Sequence, residues 1–152
     1  IATGMVAGLA SITPAAGNVG PQGAIIIGIL AGFICFYATQ AIKGFFNIDD
    51  SLDVFPVHGV GGMLGLIMLC FVGTENNLLG SGAAGLSSIA EGSSMLQLVI
   101  QLKGILLIGI WTAIVSWTIL KAIGLFTDLR VTEEEEYEGL DKSLHDETGY
   151  NF

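Results

Sequence analysis

The residue best suited to chemistry is His58, which lies at the start of an otherwise apolar run, VHGVGGMLGLIMLCFVG, at residues 57–73. An imidazole gains and loses protons near neutral pH, and an ionisable group is costly to place inside a hydrocarbon layer. The alternative is a structural histidine bonded to a neighbouring carbonyl. In a membrane span we favour a functional role, because such groups usually line a pathway or relay protons.

The residues around His58 are acidic on one side and very small on the other, in the stretch DDSLDVFPVHGVGG, residues 49–62. Asp53 is placed to cap the start of a helix, with its carboxylate at the positive end of the helix dipole. Asp49 and Asp50 fit solvated loop positions better. Three glycines leave the helix without bulk beside the ring, so that a second helix or a narrow lumen can come close; they are Gly59, Gly61 and Gly62.

The composition places this stretch in a membrane rather than in water. Of the 152 residues, 52% are hydrophobic and 12% are charged, whereas about 25% are charged in an average soluble domain. The mean hydropathy is +0.73. Five scattered basic residues do not form a surface for nucleic acid. Cys35 and Cys70 lie in apolar runs without a pattern of histidines, so we expect buried, inert thiols and neither a metal site nor a cofactor.

Four apolar segments predict an all-α, polytopic membrane helical bundle. We place them at about residues 1–17, 21–43, 54–73 and 95–126, within a transmembrane region at 1–127 that precedes a polar tail at 128–152. Pro21 stands where a helix would begin its first turn. Because the chain starts at Ile1, in the middle of an apolar run, we expect it to be a fragment of a longer membrane protein.

Small residues recur at every fourth position and predict tight helix packing, because small side chains let two backbones approach closely in lipid. The pairs are Gly4 and Gly8, Ala24 and Gly28, Gly28 and Gly32, and Gly61 and Gly65. This pattern is common in membrane proteins and does not identify a function.

The basic residues predict the orientation in the membrane. Four of them lie between the second and third spans or at and beyond the end of the fourth, namely Lys43, Lys121, Arg130 and Lys142. The other two connections, at 17–21 and 74–94, contain no Lys or Arg. By the positive-inside rule the basic side, and with it the C-terminal tail, is cytoplasmic. Lys103 is the exception, near the outer end of the last span, where its long stem can reach the interface.

The stretch DDSLDVFPVHGVGG closely resembles a signature of the ammonium transporter (Amt) family, D-D-x-x-D-V-F-G-V-H-G-V-G-G, at its tenth transmembrane helix. GMVAGLASITPAAGNVGPQGAIIIGILAG is similar to the family's eighth and ninth helices, and LRVTEEEEYEGLDKSLHDETGY to its cytoplasmic tail. The resemblance implies a fold of eleven helices, ten of them in two inverted repeats, assembled as a trimer with one pore per subunit. This chain would supply the end of helix 8 to helix 11 plus the tail.

The resemblance also implies roles for individual residues. His58 matches the second of two facing pore histidines, Val54 matches a residue that lines the same pore, and Asp53 matches the aspartate at the cytoplasmic start of that helix. Pro56 departs from the family's glycine, and at a first helical turn we expect it to be tolerated and to fix the start of the helix. Gly149 replaces a small alanine. The partner histidine, the outer aromatic ammonium site and the phenylalanine gate belong to earlier helices, so this chain alone cannot form the pore.

The acidic tail has its own local signals. Thr132 and Glu135 have the spacing of a capping box, and Gly139 is suited to end the helix that follows it. The resemblance implies an ordered tail that packs beneath a neighbouring subunit and, in many relatives, meets PII-type signalling proteins. The residues it marks as regulatory are Gly139, Leu140, Asp141 and Ser143, the last where some relatives carry a regulatory hydroxyl.

The predicted function is conduction of ammonium or ammonia through a hydrophobic pore with a histidine relay, in a multi-pass protein of the cell inner or plasma membrane. Such a pore excludes ions by their desolvation cost, whereas neutral ammonia hydrogen-bonds to imidazoles and passes. We expect no enzymatic activity. Three alternatives stay open: an ammonium sensor, a non-transporting truncated homologue, and a Rhesus-type ammonia channel, which the Gly139-Leu140-Asp141 sequence disfavours.

Overall fold

The computed structural model describes residues 2–73 and 94–147, and every regular element within those two ranges is a helix. An isolated antiparallel bridge joins Val19 and Gly73. The loop predicted after residue 73 and the substitution at Gly149 lie outside the described residues. The chain divides into two compact units, Ile1–Leu107 and Ile108–Phe152. The all-α prediction is therefore confirmed for the described residues.

Among its described residues, the first unit contains three helices that pack on one another and the beginning of a fourth. Helix α1 is Ala2–Ile12, followed by a 3-10 turn at Thr13–Ala15. Helix α2 is Pro21–Gln40, with Pro21 in its first turn as predicted, and a π-helical turn at Ala41–Phe45 extends it. A second π-helical turn, Phe55–Val60, leads into helix α3, Gly61–Val72. Helix α4, Ser94–Ile123, begins in this unit and ends in the second.

In the part of the chain that the structure describes, three helical segments are long and apolar enough to cross a membrane: Pro21–Phe45, Phe55–Val72 and Ser94–Ile123. They agree with the second, third and fourth predicted spans. The first predicted span is a shorter apolar helix, Ala2–Ala15. The division into a transmembrane region at 1–127 and a cytoplasmic tail at 128–152 stays a prediction.

Close contacts between α1, α2 and α3 depend on small residues. One buried cluster joins Ala7, Cys35 and Val57, and a second joins Ala15, Ile27 and Leu69. A Cβ atom at Gly65 would overlap the Ser11 carbonyl oxygen, and one at Gly61 would lie 2.8 Å from Ser11 Oγ. The predicted packing role is thus confirmed for Gly61 and Gly65. Four other glycines of the pattern have no such neighbour within 4 Å among the described residues: Gly4, Gly8, Gly28 and Gly32.

The second unit contains the end of α4 and two short tail helices, α5 (Glu133–Glu138) and α6 (Leu140–His145). The capping box is confirmed: the Glu135 backbone N–H donates to Thr132 Oγ1 at 3.3 Å, and the Thr132 N–H donates to Glu135 Oε2 at 2.8 Å. Gly139 ends α5 as predicted, with a φ of 97° that a side chain would disfavour.

Candidate functional site

His58 lies inside the π-helical turn Phe55–Val60, at the beginning of a helix of membrane-spanning length. A π-helical turn contains one residue more than the equivalent α-helical turn, and such turns occur frequently at functional sites. Pro56 occupies the first turn, where its missing N–H is not needed, so the expectation that it is tolerated there is met. The ring of Pro56 is fully buried.

The N-terminal part of this helix has one packed face and one open face. Pro56 and Val57 are buried in the first unit. Gly61, the first residue of α3, lies against Ser11 of α1. Val54 and His58 are both exposed, and a spacing of four residues keeps them on the same side of a helix. The two residues that the resemblance assigns to a pore therefore share the face that α1 and α2 leave uncovered.

The cap at the start of this helix is Asp50, not Asp53. The Val54 N–H donates to Asp50 Oδ1 and the Phe55 N–H donates to Asp50 Oδ2, each at 2.8 Å. These are two of the backbone donors that a helix N-terminus leaves without an intrahelical partner. The expectation that Asp53 caps with its side chain, and that Asp50 is a solvated loop residue, is wrong, because the loop folds back and places Asp50 over the exposed N–H groups.

Asp53 instead forms an ion pair with Lys43. The Lys43 Nζ atom lies 2.6 Å from Asp53 Oδ1, and the Asp53 side chain is only 14% exposed. The Asp53 backbone has a φ of 57°, in the left-handed region, and its carbonyl accepts the Val57 N–H at 3.0 Å. The pair therefore links the π-helical turn at the end of α2 directly to the start of the helix that carries His58.

A cavity of about 340 Å³ adjoins this ion pair, lined by residues of α1 and α2 together with Asp53. Its polar lining residues include Thr3, Thr39 and Gln40. The Thr39 hydroxyl is buried and has no hydrogen-bond partner among the residues that the structure describes. Polar groups thus collect at the end of the bundle where α2 passes into α3. His58 is not part of this lining.

The predicted regulatory residues lie in the second unit, at the junction of α5 and α6. Gly139 separates the two helices, and its carbonyl accepts the Ser143 N–H at 3.0 Å. Leu140 and Asp141 form the first turn of α6. The Ser143 hydroxyl is buried without a hydrogen-bond partner in residues 2–73 and 94–147.

Two tail carboxylates make polar contacts that affect titration. Hydrogen bonds from the backbone and the hydroxyl of Thr132 hold the pKa of Glu135 below its usual value. Lys142 Nζ lies 2.8 Å from Glu138 Oε1, and the hydrogen bond and charge of Glu138 raise the pKa of Lys142. Both effects favour the charged forms at neutral pH.

The sequence reasoning missed Asp50 and Lys43 as parts of this site. Asp50 stands four residues before Val54, and a loop of that length can fold back so that its aspartate caps the helix. This spacing is the signal by which the sequence could have indicated Asp50. For Lys43 the sequence predicts only a cytoplasmic position, from the positive-inside rule. Its pairing with Asp53 depends on a loop conformation that no local pattern specifies.

The apolar helices and the ionisable group within one of them define a polytopic membrane protein with a polar site in a span. Residues 1–150 match the model of the Ammonium Transporter Family, and the chain belongs to that family. It is 43% identical over 150 residues to a putative ammonium transporter of Methanothermobacter thermautotrophicus and 40% identical over 148 residues to an ammonium transporter of Bacillus subtilis. It is 42% identical over 151 residues to the ammonium transporter Amt1 of Archaeoglobus fulgidus.

These matches cover nearly all of this chain and about a third of each relative. The alignments include 97%, 97% and 99% of the chain but 35%, 35% and 36% of the three relatives, in the order given above. A solved structure titled Sensor Amt Protein is similar in fold, with a TM-score of 0.78 and 31% identity. That likeness covers 91% of this chain and 32% of the other.

Proposed function

We propose that this chain is the C-terminal portion of an ammonium transporter, and that its full-length protein conducts ammonium or ammonia. Membership of the family supports transport, and the match to a third of each relative supports a portion of a larger fold. The observation that carries the proposal is the placement of His58 and Val54 together on the open face of an apolar, membrane-length helix.

In this proposal the exposed face of the π-helical turn that carries His58 lines the pore. His58 hydrogen-bonds to ammonia, and it passes on the proton that ammonium gives up by accepting a proton on one ring nitrogen and releasing one from the other. The apolar wall excludes hydrated cations by their desolvation cost. Val54 narrows the same passage nearer to the start of the helix. The partner histidine would come from a part of the fold outside this chain.

The assembly and orientation follow from the same family membership. We propose a homotrimer in the inner or plasma membrane, with the C-terminal tail cytoplasmic, as the positions of the basic residues favour. The segment from Gly139 to Ser143 would contact a neighbouring subunit and couple the pores, and a PII-type signalling protein would bind at the same face. The capping box supports an ordered tail at this position.

The experiment is an ammonium jump applied to the full-length protein in liposomes, with charge movement recorded. The unmodified protein should respond to ammonium and not to potassium, and His58→Ala should lose the response or lose its selectivity. His145→Ala is the matched control, since it removes the other imidazole of the chain, on α6, outside every predicted span. Equal selectivity in the unmodified protein and in His58→Ala would contradict the histidine relay.

An ammonium sensor is the second candidate, favoured by the likeness to the Sensor Amt Protein structure. A sensor binds ammonium and changes conformation without steady transport. A folded full-length protein that binds ammonium by calorimetry, but that gives neither an ammonium-evoked charge movement nor a change of the internal pH of the liposomes, would establish the sensor and exclude the transporter.

A further inference from the structure

The π-helical turn that carries His58 is held on both sides by contacts of the neighbouring residues. On its C-terminal side, Gly61 and Gly65 lie against α1 so closely that a Cβ at either position would meet Ser11. On its N-terminal side, Asp50 caps the first backbone N–H groups and Asp53 pairs with Lys43 of the turn that ends α2. The π-helical turn with His58 lies between these two attachments.

A turn held in this way has its side-chain directions set by its two ends. A π-helical turn takes up one residue more than an α-helical turn, so its conversion into an α-helix would rotate the residues on one side by roughly 100° relative to the other. The α1 contacts fix the C-terminal side. The N-terminal side can rotate only if the loop before Val54 moves and Pro56 and Val57 leave their buried positions.

Of the ion pairs among the described residues, the Lys43–Asp53 pair is the one that joins this loop to the turn at the end of α2. The other two ion pairs found among residues 2–73 and 94–147 lie in the tail. The Asp50 cap is internal to the loop and the first helical turn, so it would move together with them. Asp53 also has a left-handed φ of 57°, a conformation that costs energy for a residue other than glycine and that persists where its surroundings enforce it.

We propose that Lys43 is a positioning residue, whose ion pair with Asp53 preserves the π-helical turn and keeps His58 on the exposed face of that turn. Lys43 acts through Asp53 and the backbone of the turn, and its own ammonium group remains at the end of α2. The test of this proposal by ion selectivity rests on the proposed transport function, whereas the test by the spectroscopic signal of His58 does not.

The test uses the full-length protein in lipid, with the histidine rings labelled with nitrogen-15 and the His58 signal assigned by its loss in His58→Gln. Lys43→Met, which keeps the chain length and removes the charge, should shift or split the imidazole signal of His58. Lys43→Arg should leave that signal in place, because the guanidinium can pair with the same carboxylate. Lys103→Met, which removes a lysine from α4, is the matched control and should also leave it in place.

The charge-exchanged double variant, Lys43→Asp with Asp53→Lys, guards against a simple failure to fold. If Lys43→Met does not fold, a folded double variant with the native His58 signal supports the proposal, and one with a shifted signal overturns it. An unchanged His58 signal in folded Lys43→Met also overturns the proposal.

Selectivity gives the functional readout in the same samples. The ratio of ammonium-evoked to potassium-evoked charge movement should fall about tenfold in Lys43→Met, since a misplacement of about 1 Å in a reacting group costs up to ~10²-fold. Lys43→Arg should retain the ratio. If the unmodified protein shows no ammonium-evoked response, the proposed transport fails, and the His58 signal still decides the role of Lys43.

Discussion

The close contacts of α3 with α1 and α2 predict different losses of stability for three glycine-to-alanine substitutions. A Cβ at Gly65 would overlap the Ser11 carbonyl oxygen and lie 2.8 Å from Pro14 Cγ. At Gly61 the nearest atom is Ser11 Oγ, at 2.8 Å, and at Gly23 it is the Val72 carbonyl oxygen, at 3.1 Å. We therefore expect the loss of stability to be largest for Gly65→Ala, smaller for Gly61→Ala and smallest for Gly23→Ala.

The magnitudes follow from two opposing effects. Overpacking a close contact costs about 1–3 kcal/mol, whereas alanine gains about 1 kcal/mol over glycine in helix propensity. At Gly23 a shift of a few tenths of an ångström relieves the contact, so the two effects nearly cancel. At Gly61 we expect a net loss of about 1 kcal/mol. At Gly65 the obstacle is backbone, the two helices must separate, and the net loss should reach about 2 kcal/mol.

A second substitution distinguishes this reasoning from a general intolerance of alanine. Ser11→Ala removes the hydroxyl that meets a Cβ at Gly61 and leaves Cys35 Sγ at 3.4 Å as the next neighbour, an ordinary contact. It leaves the carbonyl oxygen that meets a Cβ at Gly65. Ser11→Ala should therefore rescue Gly61→Ala but not Gly65→Ala, as measured by the free energy of unfolding of the full-length protein in an SDS titration. Equal rescue of both variants, or rescue of neither, would refute the assigned contacts.

Three further results are expected. Asp50→Ala should destabilise the start of the helix that carries His58 by about 1–2 kcal/mol, because two N–H groups lose their acceptor. The measure is faster amide exchange in the first turn of that helix. Asp49→Ala is the control and should leave that exchange unchanged. Thr132→Ala should speed exchange of the Glu135 amide about fivefold, the equivalent of ~1 kcal/mol for a lost cap. Hydrogen bonds from the backbone and side chain of Thr132 lower the pKa of Glu135, so the capping box should be fully formed above the usual glutamate pKa and lost as the pH falls through the lowered value. The measure is the protection of the Thr132 amide, which donates to the Glu135 carboxylate, relative to the intrinsic exchange rate at each pH. Protection of that amide that persists through acidification would contradict the assigned capping bond.

Local signals in the sequence were sufficient to predict the helices and those helix ends that a proline or a capping residue marks. Of the four apolar runs predicted as spans, three are helices of span length, Pro21 predicted the first turn of α2, and Thr132 with Glu135 predicted the capping box. Each of these depends on residues within one or two turns of one another. The family resemblance predicts a pore role for His58 and Val54, which stays a prediction, and both residues are exposed on one side of the helix.

The features that the sequence did not reveal depend on how a loop folds between two helices. Asp50 and Asp53 have the same side-chain chemistry, and the left-handed backbone at Asp53 determines which of them reaches the N–H groups and which reaches Lys43. Similarly, hydrophobic periodicity did not predict the π-helical turn at Phe55–Val60. Loop conformation and helix register are products of tertiary packing, and so they lie beyond periodicity and propensity.

The two kinds of exposed surface in the first unit and on α4 require different surroundings. Large apolar side chains cover the exposed surface of α4, including Leu106, Leu107 and Trp111, and lipid can solvate them at no cost in hydrogen bonds. The exposed imidazole of His58 has no such partner in hydrocarbon, where an ionisable group is expensive. Its face of the π-helical turn therefore needs either protein or water against it. In the proposed function, a pore completed by parts of the fold outside this chain would supply both, and for that reason the proposal assigns conduction to the face with His58 rather than to α4.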